Sequence, residues 1–342
     1  MTICWSDMYR AAKLSVGFFL CLLALTGVIS YAWAQKPADA DIPEGAASIT
    51  VDVDVVSILA TVRDKDGHLV SNLTKDDFIL EEEGKEQAIT YFARQTDLPL
   101  TLGLLVDTSV SQGGIIDEES RASSQFFTQV LRLEKDLAFL ISFDIDVELL
   151  QDLTGSKELL RSGLNGLQVQ GGTGGLHPGP VPTSGRQPGT VLFDAVFLAS
   201  DEMMRNQVGR KALVLLSDGV DWGSRLKERE AIEAAHRADA VIYGIRYVDH
   251  RFYNRAGVYG AGGGASTLKK LARETGGDMF EVSRKRPLSE IYDTIQDELR
   301  NQYSIGYSSN LDSSDGGFRK IKLTTKNKNL KVQARSGYYP KS

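Results

Sequence analysis

Asp107, Ser109 and Ser111 stand on alternate residues in "LLVDTSVSQGG", a carboxylate and two hydroxyls directly after an apolar run. Two more residues match them in type. Asp218 follows another apolar run in "KALVLLSDGVDWG", and Thr190 opens an apolar helical stretch in "PGTVLFDAV". All five side chains offer oxygen, a hard donor suited to Mg²⁺ or Mn²⁺. Alternate spacing in a tight loop lets Ser109 and Ser111 face one ion together. The competing explanation is plain: an Asp followed by serines after a strand is more often a turn or a helix cap.

The surrounding pattern says how such residues could meet. Short continuous apolar runs, "LTLGLLV", "DLAFLISF", "KALVLLS" and "AVIYGIR", alternate with helical stretches, the signature of buried parallel strands in βαβ units. Ile115, Ala122, Phe126, Phe127, Val130 and Leu131 fall towards one side of a predicted helix over 115–131. Leu288, Ile291, Ile295 and Leu299 repeat at helical spacing after Pro287. The expected fold is an α/β, doubly wound, mostly parallel sheet over residues 98–301. In such a sheet ligands bind at the loops leaving the carboxyl ends of the strands, where "DTSVS" and "SDGVDWG" lie and where the helix opened by Thr190 begins.

With these residues in this order the chain resembles the von Willebrand factor A (VWA) domain and its metal-ion-dependent adhesion site, whose pattern is D-x-S-x-S, a distant Thr and a distant Asp in a "DG" step. The matching residues are Asp107, Ser109, Ser111, Thr190 and Asp218. The flanking segments "LTKDDFILEEEGKEQAI", "NQYSIGY" and "KVQARSGYY" also look like those of exported bacterial VWFA-related proteins. The resemblance implies a divalent ion, Mg²⁺ or alternatively Mn²⁺ or Ca²⁺. Serines would ligate it directly, the threonine directly or through water, and the aspartates mostly through water. One coordination position stays open for an acidic residue of a protein partner. In this family a Gly-Gly-Thr usually runs straight into the helix, whereas here the long segment "VQGGTGGLHPGPVPTSGRQPG" intervenes, making Thr173 a rival to Thr190.

Outside the α/β stretch the texture is that of short strands. Ile49, Val51, Val53 and Val55 alternate with polar residues, and Gly turns in "DKDGHLV" and "EEEGKEQ" precede strands around Phe78-Ile79-Leu80 and Ile89-Thr90-Tyr91. "QYSIGYSS", "FRKIKLTT" and "LKVQARSGYY" repeat the pattern near the C-terminus. Neither set is large enough to stand alone, so segments 48–97 and 302–342 are predicted to pair in one small discontinuous antiparallel β-sandwich. Residues 1–34 read as a signal peptide: Arg10 and Lys13 precede "LSVGFFLCLLALTGVIS", and Ala32-Trp33-Ala34 offers a cleavage site before Gln35. The alternative is an uncleaved membrane anchor. Residues 35–47 form a polar linker. Cys4 and Cys21 would leave with the signal, so the mature chain could hold no disulfide.

A net charge of −6 with interspersed Lys and Arg gives no basic stripe, which argues against nucleic acid as a partner. His68, His177, His236 and His250 lack metalloprotease spacing and read as isolated surface histidines; Glu81-Glu82-Glu83 suggests calcium but reads rather as a solvated charged turn, and "GGTGG" and "GAGGG" as flexible loops. Asp144 and Asp146 follow the second apolar strand as loop carboxylates with an indirect role at a metal as the minority option. Trp222 is either core or an exposed binding anchor. The expected function is therefore a non-enzymatic, exported module, periplasmic or extracellular, that adheres to a protein through a metal. The alternatives are a Mg²⁺-dependent hydrolase or phosphotransferase, for which "DTS" lacks the second acid, and a structural envelope protein with an empty site.

Overall fold

The computed structural model describes residues 55–94, 98–169, 189–249, 262–311 and 316–340. The first strands are β1 (Val55–Arg63), β2 (Phe78–Glu82), β3 (Lys85–Glu86) and β4 (Tyr91–Arg94). An α/β region follows: β5 (Leu100–Asp107), α1 (Ile116–Val130), β6 (Leu137–Phe143), β7 (Val147–Thr154), α2 (Lys157–Asn165), α3 (Leu192–Leu198), β8 (Arg210–Ser217), α4 (Glu228–Arg237), β9 (Ala240–Arg246), α5 (Gly262–Thr275), β10 (Met279–Glu281) and α6 (Leu288–Arg300). The chain returns to short strands in β11 (Tyr303–Ser308), β12 (Arg319–Thr325), β13 (Lys331–Ala334) and β14 (Gly337–Tyr338).

The central sheet runs β10-β9-β8-β5-β6-β7, parallel except for the β6/β7 pair. Every residue of β5, β8 and β9 is buried, because helices cover both faces. On one face Leu102, Leu104 and Val106 pack with α1, α2 and α6; on the other Leu105, Phe139 and Leu213 pack with α3, α4 and α5. The fold is thus the doubly wound α/β architecture expected. Gly103 sits where a Cβ would collide with the Phe139 ring and Leu213, so the centre of β5 admits no side chain. The four apolar runs are β5, β6, β8 and β9. Edge strand β7 did not stand out among them, being half exposed with mixed polarity.

The strands from both chain ends interleave in two antiparallel sheets, β13-β1-β11-β4 and β14-β12-β2-β3. Strand β1 lies between β11 (Ile58↔Ile305) and β13 (Val62↔Val332), and β2 pairs with β12 (Leu80↔Leu323). The shared core includes Ile58, Leu80, Tyr303, Ile305, Tyr307 and Tyr338. The first strand departs from the expected parity. Val55 is 61% exposed, while Val56, Ile58, Ala60 and Val62 are buried. The Val55-Val56 doublet breaks the alternation and hands the interior to even-numbered residues. Residues 49–53 lie outside the described residues.

Glu82 corrects the reading of "EEE" as a solvated turn. It is buried in the sandwich, accepting hydrogen bonds from the hydroxyls of Tyr338 at 2.7 Å and Ser309 at 2.9 Å. The sandwich is fastened to the α/β layer by an Arg63–Glu298 ion pair and by Ser336, whose hydroxyl donates to Glu274 at 2.6 Å. His236, expected on the surface, is buried beneath Phe318, and burial first, with Arg335 next, pushes its imidazole down to about 4.

Candidate metal centre

The site forms at the carboxyl edge of β5, β6 and β8, and main-chain hydrogen bonds lace its loops together in sequence. Thr108 N–H donates to the Phe143 carbonyl at 2.9 Å, tying the loop after β5 to the end of β6. Val191 N–H donates to the Asp144 carbonyl at 2.7 Å, tying the loop after β6 to the start of α3. Thr190 and Trp222 exchange two main-chain bonds of 3.0 and 2.9 Å, joining that start to the loop after β8. Helix α3 is held further by Asp194, whose carboxylate accepts the N–H groups of Arg225 and Leu226. Buried parallel strands fix where these loops begin; the lacing fixes where they go.

Asp107 closes β5 and is fully buried. One of its oxygens accepts the Ser109 N–H at 3.0 Å, and the other accepts the Ser217 hydroxyl at 2.6 Å. The first bond is the Asx turn anticipated by the competing explanation. The same turn also brings the Ser109 and Ser111 hydroxyls to 2.9 Å from each other. Asp218 is buried as well, with one oxygen accepting the Val220 N–H at 3.0 Å. Gly219 adopts φ +83°, and its Cβ position, like that of Gly264, is filled by the other's backbone. Only glycine fits both places. Gly262–Gly264, read as part of a flexible loop, instead forms the first turn of α5, and Gly264 packs against the backbone of Asp218.

The electrostatics are unusual. Burial first, then repulsion from Asp218, pushes the Asp107 carboxyl up to about 7 against the hydrogen bonds from Ser109 and Ser217. Glu119, in the first turn of α1, is fully buried, and among the described residues neither of its oxygens has a hydrogen-bond partner. Its carboxyl is held well above the usual range by burial and then by the charges of Asp107, Glu118 and Asp218. Asp144 is buried too; one oxygen accepts the Asp146 N–H at 3.1 Å and the other has no partner among the described residues. Orphaned buried carboxylate oxygens are costly, and a cation with its water shell is the natural complement to such a set. The donor chemistry, all oxygen, fits a hard divalent ion.

Sequence reasoning missed Ser217 and Glu119. Ser217 was legible only as the Ser of "LLSDG". Glu119 is a charge on the helix stripe that continues through Ser123, Phe126 and Val130, a signal that could have marked it. Thr190 is buried at the site's edge, whereas Thr173 lies outside the described residues. Trp222 is 69% exposed beside Thr190, which resolves core against anchor in favour of exposure. His68 is exposed but not isolated: it joins Asp64 and Asp66 with ligand atoms within 4.8 Å of one another, on a turn where Asp64 accepts the N–H groups of both. His177 and His250 lie outside the described residues.

No protein-family model matches the chain, and no curated protein matches it. Similar solved structures include proximal thread matrix protein 1 from the mussel byssus, at 12% identity and a TM-score of 0.46 over 64% of this chain. The chain spans about half of that protein, 51%. A structure of the same mussel protein with a zinc-occupied MIDAS motif aligns at 13% identity and a TM-score of 0.43, covering 61% of this chain and 50% of that one. The vWF domain of the type V pili tip protein Mfa5 from Porphyromonas gingivalis aligns at 14% identity and a TM-score of 0.40, covering 59% of this chain and 95% of that one.

Proposed function

We propose that this chain is an exported, non-enzymatic module that binds a protein partner through a divalent cation, Mg²⁺ or alternatively Mn²⁺ or Ca²⁺. Asp107, Ser109, Ser111, Thr190 and Asp218 would hold the ion. The observation carrying this reading is one arrangement: paired Ser109 and Ser111 hydroxyls on the turn that Asp107 closes, with Asp107 and Asp218 both buried and repelling one another. Hydroxyl ligands leave much of the cation's charge uncompensated, so the bound ion would supply an electrophilic position for an Asp or Glu side chain from the partner. The chain's own part is to hold the loops in register through the Thr108, Val191 and Thr190 main-chain bonds, so that little is ordered on binding.

Asp107 supports binding over phosphoryl or acyl transfer. A nucleophile must reach its substrate, and Asp107 is buried with each oxygen engaged by a donor. Export rests on the signal-like segment 1–34, which lies outside the described residues; N-terminal sequencing of the native protein should find Gln35 first, and a start at Met1 would remove that support. Among the described residues no helix is long and apolar enough to cross a membrane.

Calorimetry and thermal melting with and without Mg²⁺ test the metal. Binding only to the folded state adds about 1.4 kcal/mol at ten times the dissociation constant. Asp107→Ala should abolish that gain. A capture experiment from envelope extract, run in Mg²⁺ and in chelator, tests the partner. Capture that persists undiminished in chelator would defeat the adhesion reading.

A further inference from the structure

We propose that Glu119 is a further acid of this metal centre, a carboxylate behind the serine loop that steadies the cation through its water shell without replacing any of the five ligands. The inference rests on the metal reading above and assigns the site an acid outside the D-x-S-x-S pattern.

The first ground is the isolation of Glu119. Its side chain is fully buried, neither carboxylate oxygen has a hydrogen-bond partner among the described residues, and the charges acting on it are the carboxylates of Asp107, Glu118 and Asp218. Its position in the first turn of α1 gives it the helix dipole, which offsets only part of the cost of a buried charge. Burying an unpaired carboxylate costs several kcal/mol, so the dipole alone does not account for an acid there. Elsewhere on the same helix face polarity is matched: the Ser123 hydroxyl lies 2.7 Å from that of Tyr292. A neutral Gln at 119 would fill the same space at lower cost to the metal-free fold.

The second ground is the kind of group left unmatched around the site. Gln112 Oε1, Asp144 Oδ2 and both Glu119 oxygens are buried without partners among the described residues, and all are acceptors. Each is tied to a proposed ligand. Gln112 donates from its Nε2 to the Ser111 hydroxyl at 3.4 Å, the Asp144 main-chain carbonyl accepts the N–H of Val191, the residue after Thr190, and Glu119 lies within the charge field of Asp107 and Asp218. Unmatched acceptors call for donors, and water polarised by a divalent cation is a strong donor.

The test is Mg²⁺ titration of the full chain by calorimetry, with thermal melts in chelator alongside. Glu119→Gln keeps the shape and removes the charge. Its Mg²⁺ dissociation constant should rise roughly 10–100-fold, the range for residues that act behind metal ligands, while its melting point in chelator equals or exceeds that of wild type. Glu119→Asp, which keeps the charge, should fall between wild type and Glu119→Gln. Ser123→Ala, one turn further along the same face, should leave Mg²⁺ affinity unchanged. Wild-type affinity in both Glu119 variants would overturn the inference while leaving the metal reading standing. A folded wild type that binds neither Mg²⁺ nor Mn²⁺ would overturn both, and loss of binding confined to Asp107→Ala would sustain the reading alone.

Discussion

Thr190 and Trp222 pair through their main chains, N–H to carbonyl in both directions at 3.0 and 2.9 Å, so a buried hydroxyl and an exposed indole share one short ladder at the edge of the site. Because the pairing is main-chain, Trp222→Ala leaves it intact. The variant should keep its fold and its Mg²⁺ affinity yet lose about 2 kcal/mol of partner binding, the size of an aromatic hot spot. Thr190→Ala should weaken partner binding more than resting metal affinity. Titration of the captured partner at fixed Mg²⁺ measures both, and a Trp222 variant that binds as wild type would place the partner elsewhere.

Asp107 makes the metal-free fold sensitive to pH, and the sign follows from its raised value. Its carboxyl titrates near 7 when folded, against 3.8 for the unperturbed group. The folded chain therefore holds the proton more tightly, and the stability present below about pH 4 is lost as pH rises through about 7, at up to ~1.4 kcal/mol per pH unit. In chelator, urea midpoints should fall over that window in wild type and fall less in Asp107→Asn. Mg²⁺ should reverse the trend, since its ligands bind it deprotonated. Identical profiles for the two proteins in chelator would show that Asp107 carries no such burden.

Ser217 connects the two carboxylate loops. Its hydroxyl donates to Asp107 at 2.6 Å and accepts the Gly219 N–H at 2.9 Å. Ser217→Ala leaves a buried acceptor and a buried donor unmatched, with an expected cost of about 1–3 kcal/mol in denaturant unfolding in chelator. A change under a few tenths would mean that water takes over both bonds.

The β-sandwich makes the chain ends interdependent. Strand β11 lies between β1 and β4, and Tyr303 on it packs edge-on to Phe78 at 5.3 Å between ring centroids. Deleting residues 302–342 removes β11 through β14 and uncovers Ile58 and Leu80. Segment 55–94 should then lose its resistance to limited proteolysis; protection equal to that of the full chain would show that it is stable without its partner strands.

Local signals carried much of this protein. Four continuous apolar runs marked β5, β6, β8 and β9 because a strand buried on both faces needs no polar residues, and their order placed Asp107 and Asp218 at one edge of the sheet. Near neighbours in the chain, such as Ser109 and Ser111, were legible for the same reason: two residues in a tight turn have few ways to diverge. The tertiary structure decided what depends on distant groups. Glu119 is a solvated first-turn acid in any isolated helix and becomes an orphaned carboxylate only where α1 packs over β5. Ser217 meets Asp107 from 110 residues away. Whether His236 is covered, Trp222 uncovered or Val55 turned outward depends on which surface folds against each, and the valine doublet that shifts β1 has no assignable face until β11 pairs with it. Burial and charge coupling are sums over neighbours that the chain brings together only on folding, which is why the sequence alone could propose ligands and not the burial of Glu119.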